Sequence, residues 1–365
     1  MARWRRITGV AGVAAGVVAA GTGAVIAVEK FAVGRHRLRP DPEAAEPLGF
    51  LRGRPLTVLA SDGVALHAEI DGPDDAPVTI IFSHGYTLNQ DVWHYQRRDL
   101  GGIGRLVFWD QRGHGRSGRV SRDRVSIDQL GADLYAVLRA VAPGRGPVVL
   151  VGHSMGGMTI LALAEQHPEL FGTKIIGSVL ISSAAAGVNP AGWLPAPVRL
   201  AMRQTTPAVL RGVARGRPAA LIERARSAAG DLAFLSTRYM AFGDSKISPA
   251  VVDFLERMIR ATPVDIVADF YLALLDHDKQ AALSTLGQVP VVVVVGERDR
   301  LVGAALSEQL AAGIPGARLI TLPETGHVAM LERPAEVNAA ITSLVADALG
   351  TGPANGHPRR RKEGA

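Results

Sequence analysis

Short apolar runs rich in β-branched residues recur through the middle of the chain, and between them apolar positions fall at helical spacing. Residues 78–82, 105–109, 147–151, 175–182, 289–295 and 317–322 have the length and composition of buried strands. Residues 128–141, 158–164, 303–313 and 334–349 read as helices. Ahead of them, residues 56–60 and 64–70 flank Ser61-Asp62-Gly63 and predict an opening β-hairpin. Strand alternating with helix predicts an α/β fold, a mostly parallel sheet with helices on both faces. From residue 187 to 286 the alternation stops, leaving helical stretches such as 249–260 and 265–275 broken by prolines, which predicts a helical insertion.

The two ends have a different texture. Residues 7–28 carry no charge and are mostly Ala, Val and Gly, long enough to span a bilayer as a helix, with Arg3, Arg5 and Arg6 ahead of them. They predict an N-terminal membrane helix kept as a signal anchor, or a signal sequence cleaved after Val25-Ile26-Ala27. The Arg5-Arg6 pair also fits a twin-arginine export signal. Basic residues lie on both sides, so the positive-inside rule sets no orientation. Residues 35–53 turn to Pro, Glu, Arg and Gly and read as a linker holding the folded part off the membrane. The chain thus divides into an anchor or signal (1–30), a linker (31–54), a first core part (55–186), a helical cap (187–286), a second core part (287–349) and a basic tail expected to be disordered (350–365).

Composition narrows the chemistry. A chain of 365 residues, 47% hydrophobic and 20% charged, can bury the core of one large domain with an insertion. The net charge of +6 comes from the ends, through Lys30, Arg35, Arg37, Arg39 and the run from Arg359 to Lys362, so no nucleic-acid partner is expected. The absence of cysteine excludes disulfides, thiolate metal sites and a cysteine nucleophile. Nothing in the chain implies a metal or cofactor, or sets an oligomeric state.

One stretch carries distinct chemistry. Residues 147–151 run into Gly152-His153-Ser154-Met155-Gly156 and then into a helical pattern, which is the strand, sharp turn and helix of a nucleophile elbow. Glycines at 152 and 156 remove side chains that would collide in so tight a bend. The Met155 N–H, at the start of the new helix, then points where an oxyanion would form. A glycine-rich turn without chemistry shares this local pattern, so the rest of the chain decides.

Five motifs follow in order: His84-Gly85-Tyr86, Asp110-Gln111-Arg112-Gly113-His114-Gly115, the elbow, Gly296-Glu297-Arg298-Asp299, and Gly326-His327. In that order the chain resembles the α/β-hydrolase superfamily, in its serine-nucleophile branch with a helical cap, over residues 55–348. The resemblance implies that fold and a Ser, acid, His triad. Ser154 needs a base of suitable pKa, and a histidine suits. The family's base falls on His327. His114 and His153 are the alternatives by motif, with structural or pocket-lining roles in the family. The base needs a carboxylate partner. Asp299, directly after the valine-rich strand, takes that place, with Asp276 and Asp278 as rivals. The family's second oxyanion donor falls on the amide of Tyr86. The Asp110–Gly118 segment has glycines and arginines but no P-loop ending, and in the family it is a structural turn without chemistry.

A serine at the elbow points to acyl transfer through an acyl-serine, hence a small-molecule ester, thioester or lipid substrate. The Gly-His-Ser-Met-Gly-Gly form occurs in monoacylglycerol-lipase-like and carboxylesterase-like members, and also in perhydrolases and carbon–carbon bond hydrolases. A non-catalytic binding protein of the same fold, or a tethered partner of an envelope complex, is a further alternative. The apolar cap and the membrane segment together favour a lipophilic ester reached from a bilayer.

Overall fold

The structure, a computed structural model, describes residues 41–144, 146–189 and 230–351. The expected membrane or signal segment, the start of the linker and the basic tail beyond residue 351 lie outside the described residues. Among the described residues no helix is long and apolar enough to cross a membrane.

In chain order the elements are β1 (Arg54–Leu59), β2 (Ala65–Asp71), β3 (Thr79–Ser83), α1 (His94–Asp99), β4 (Arg105–Trp109), α2 (Ile127–Val141), β5 (Val148–His153), α3 (Met155–Gln166) and β6 (Ile175–Ile181). Then come α4 (Gly230–Ala241), α5 (Pro249–Ala261), α6 (Val264–Leu275), α7 (Leu283–Leu286), β7 (Val291–Gly296), α8 (Ala304–Gly313), β8 (Arg318–Leu322), α9 (Ala329–Glu332) and α10 (Pro334–Leu349). The strands form one sheet in the order β1-β2-β4-β3-β5-β6-β7-β8. The β1–β2 and β2–β4 pairs are antiparallel and the remaining pairs parallel.

Sequence chemistry explains these choices. The valine run of β7 is buried along its whole length, as a strand covered on both faces must be. Ser126 caps α2, its hydroxyl accepting the Gln129 N–H at 3.0 Å, which replaces one bond the first turn cannot make for itself. Pro334 opens α10 and Gly350, in left-handed conformation, ends it. Two apolar layers cover the sheet. One joins Phe82, Phe108, Val151 and Val294 to α10 and the insertion, and the other joins Ile81, Trp109, Leu150 and Val293 to α2 and α3. Because the strands from β3 onward are parallel, the loops after β3, β5, β7 and β8 all emerge at one sheet edge, where polar chemistry collects in such folds.

Residues 41–53 depart from the linker expectation. Leu48 is buried in the core, Glu46 Oε1 is 2.7 Å from His94 Nε2, and Asp41 accepts the Ala250 N–H at 2.9 Å. The composition is that of a linker, but the partners lie on α1 and in the first turn of α5, where local composition cannot reveal them.

Arg112 has no exposed surface. Its guanidinium donates twice to Asp133, at 2.5 and 2.6 Å, and twice to Asp62, at 2.9 and 3.2 Å. Removing one member of such a pair strands a buried charge. Asp133→Ala is therefore expected to lower the unfolding free energy by about 3–5 kcal/mol, measured by urea melts.

Candidate active site

The elbow forms because β5 must reverse into α3 within one residue. Ser154 sits at φ 51°, ψ −115°, a backbone conformation that costs a non-glycine residue roughly 1–3 kcal/mol. A Cβ on Gly152 would lie 2.5 Å from the Gly156 carbonyl oxygen, and one on Gly156 only 2.0 Å from that of Ser83. Glycine is thus required at both. The Ser154 amide is tied to Ile181 O at 2.8 Å, and its carbonyl accepts from Gly157 and Met158. The Met155 N–H, in the first turn of α3, has no carbonyl of its own helix to bond.

The loop after β3 lies against this turn. A Cβ on Gly85 would come 3.3 Å from the Ser154 Cβ. His84 Nε2 accepts the Gln111 N–H at 2.9 Å, which puts the ring proton on Nδ1, and Nδ1–H donates to Gly85 O at 2.8 Å. Pinning that carbonyl pins the Tyr86 N–H in the opposite direction, because the peptide between them is planar and trans. The Gln111 side chain donates to His84 O at 2.6 Å and accepts from Thr159 Oγ1 at 2.7 Å, bracing the loop onto α3. Burial, with His114 close by, lowers the His84 pKa to about 3, so the ring stays neutral. The Tyr86 hydroxyl donates to Val267 O on α6.

Asp299 and His327 arrive on the loops after β7 and β8. His327 Nδ1–H donates to Asp299 Oδ2 at 2.9 Å, and Asp299 Oδ1 accepts the N–H groups of Leu301 and Val302 at 2.9 and 3.0 Å. Burial alone would raise the Asp299 pKa, but the His327 ring and the two amides outweigh it and hold the carboxyl at about 2. His153 links this pair to the elbow. Its ring centre is 4.8 Å from that of His327, and its Nε2–H donates to the His327 carbonyl at 3.0 Å. Burial and then the neighbouring His327 keep the His153 pKa well below its ordinary value.

The loops therefore gather Ser154, the Met155 amide, Gly85-Tyr86, Asp299 and His327 at one place. No hydrogen bond joins the Ser154 hydroxyl to the His327 ring among the described residues, and Ser154 keeps 8% of its surface open. Such bonds are often long before substrate enters. The rivals are engaged elsewhere. His114 donates from Nδ1 to Arg112 O and accepts the Thr87 N–H at Nε2. Asp278 accepts the Gln280 N–H in a local turn, and Asp276 caps the end of α6. An arrangement of hydroxyl, imidazole and carboxylate can run acyl transfer.

Sequence reasoning passed over Gln111 and Thr159. Gln111 stands in the Asp110–Gly118 segment, which has a bracing task at the site. An amide side chain inside a glycine-rich turn motif is the available signal, since it demands partners wherever it is enclosed.

The profile described as the alpha/beta hydrolase family matches residues 80–340. The chain is 26% identical over 267 residues to the AB hydrolase superfamily protein YisY of Bacillus subtilis, covering 73% of this chain and 90% of that protein. It is 28% identical over 298 residues to a pimeloyl-[acyl-carrier protein] methyl ester esterase of Stenotrophomonas maltophilia, covering 80% and 99%. Among solved structures, a thermophilic esterase from Thermogutta terrifontis shares the fold, with a TM-score of 0.64, 21% identity, and coverage of 81% of this chain and 99% of that one.

Proposed function

This chain belongs to the α/β hydrolase family, and from that premise we propose that it is a serine hydrolase that cleaves a carboxylic ester, with lipophilic esters or lipids favoured, through an acyl-Ser154 intermediate. The observation that carries this reading is the 2.9 Å bond between His327 and Asp299 at the sheet edge that also delivers the strained Ser154. The likeness to a protein named as a methyl ester esterase supports the ester as substrate.

In this mechanism Ser154 Oγ attacks the ester carbonyl while His327 Nε2 takes its proton, and Asp299 stabilises the imidazolium that forms. The developing oxyanion is held by the Tyr86 and Met155 N–H groups. His327 then gives the proton to the departing alkoxide, releasing the alcohol. Water, activated by the same ring, opens the acyl-serine and releases the acid. An apolar cluster that joins Met155 and Met158 to Ile266, Phe270 and Leu274 of α6 supports an apolar acyl group. The uncharged segment at residues 7–28 supports a membrane-anchored enzyme, or one exported after cleavage of that segment.

Two measurements on the full-length protein in mild detergent test this. A fluorophosphonate probe is expected to add to Ser154, identified by peptide mass spectrometry. A p-nitrophenyl ester series is expected to give a kcat/KM optimum at chains longer than acetate. An optimum at acetate that falls steeply would remove the lipophilic preference, and absence of both turnover and adduct would overturn the hydrolase reading.

A further inference from the structure

Glu332 ends the one-turn helix α9 just after His327 and is only 6% exposed. Its carboxylate accepts the Gly326 N–H at 2.7 Å, the Gly243 N–H at 2.9 Å and the Asp244 N–H. One of these donors precedes the histidine, and the other two belong to the turn that follows α4 in the insertion. The two segments are in backbone contact. His327 and Val328 donate to Ala241 O at 2.8 and 3.3 Å. A Cβ on Gly243 would lie 2.6 Å from the Thr325 carbonyl carbon, and one on Gly326 would lie 2.5 Å from Ala241 O. The loop of Asp299 grips the same turn from its other side, through Arg298 to Gly243 O at 3.1 Å and Arg300 to Phe242 O at 3.1 Å.

Three N–H groups converging on one buried group need an acceptor with no hydrogens of its own. A carboxylate meets that need. An amide would turn its NH₂ towards one of the donors and leave a buried N–H unpaired. The charged groups around it are Arg333, whose guanidinium pairs with Asp244 Oδ2 at 3.1 Å, and Asp244 itself.

We propose that Glu332 is a positioning residue for His327: it locks the Gly326–His327 backbone to the root of the insertion and thereby sets the direction in which the imidazole faces Ser154. The inference rests on the reading of His327 as the base. Glu332 lies outside the sequence motifs, and its carboxylate bonds go to the backbone N–H groups of Gly326, Gly243 and Asp244.

The test compares wild-type protein with Glu332→Gln, Glu332→Asp and His327→Ala, all full-length, on a p-nitrophenyl ester, with urea melts to establish the folded fraction. Glu332→Gln is expected to lower kcat on the order of 10- to 100-fold, with KM within about twofold, in fully folded protein. Glu332→Asp keeps the charge but withdraws it by one methylene; it is expected to show the same split between kcat and KM, and is decisive if the glutamine variant does not fold. A kcat within about twofold of wild type in the folded variant, or a loss that only follows the folded fraction, overturns the proposal. His327→Ala separates the two readings. If it is as active as wild type, the base has been misassigned; if it is inactive while both Glu332 variants turn over normally, only the role of Glu332 fails.

Discussion

Replacing Ser154 by alanine is expected to lower kcat for ester hydrolysis by about 10⁶-fold while leaving the unfolding midpoint nearly unchanged. Alanine keeps the Cβ and the same strained backbone, so the turn held by Gly152 and Gly156, the bond from Ser154 N to Ile181 O, and the Met155 amide all persist. Only the attacking oxygen is lost. What remains is the modest acceleration over water supplied by the oxyanion donors and by substrate binding, roughly 10³–10⁴ in comparable serine enzymes. Steady-state assays on the purified variant check this, and KM should change little because the walls of the site are untouched. A variant that kept more than about one part in a thousand of wild-type turnover would place the nucleophile elsewhere.

Asp299→Asn is expected to cost about 10⁴-fold in kcat for a different reason. Two backbone N–H groups hold Oδ1 of the carboxylate, so the oxygen of an asparagine would stay with them and its NH₂ would face His327. A donor facing Nδ1 forces the ring proton onto Nε2, and that nitrogen can then no longer accept a proton from Ser154. The acidity of Asp299 adds a pH signature. Its folded pKa of about 2 lies below the ordinary 3.8, so its stabilising contribution is fully present above about pH 3.8 and is lost as the pH falls through about 2. That contribution is on the order of 2 kcal/mol. Asp299 remains ionised from pH 4 upward, so any acid limb of kcat/KM in that range belongs to another group. Rate profiles of the wild type and the asparagine variant, with urea melts at pH 7 and pH 3, measure both effects.

The two variants probe parts of the site that differ in how far the sequence discloses them. The position of Ser154 is legible because an elbow needs glycines two residues either side, and few other turns need both. Asp299 and His327 are legible as loop residues because each follows a strand whose apolar run is unmistakable. The order of strands within the sheet and the packing between distant segments are less open to reading. Residues 41–53 have the composition of a linker, yet Leu48 enters the core and Glu46 meets His94, contacts that depend on where α1 ends up. Arg112 illustrates the same difficulty. In a stretch of glycines and arginines nothing local marks it for burial, and only the arrival of Asp62 and Asp133 from separate elements compensates its full burial. His84, Gln111 and Thr159 form their chain of bonds across two loops and a helix, so periodicity carries no trace of it.

The short turn at Ala241–Asp244 bears on how such an enzyme can diversify. Because the loops of Asp299 and His327 both grip it, it behaves as a fixed socket into which an exchangeable visor is plugged. Substitutions elsewhere in the insertion that leave this turn in place can accumulate over evolutionary time without resetting the Asp299–His327 pair. The socket tolerates no such drift, since any side chain at position 243 would meet the Thr325 backbone. Recombination that spares this seam is expected to leave the Asp299–His327 pair intact, and recombination that cuts through it is expected to displace it.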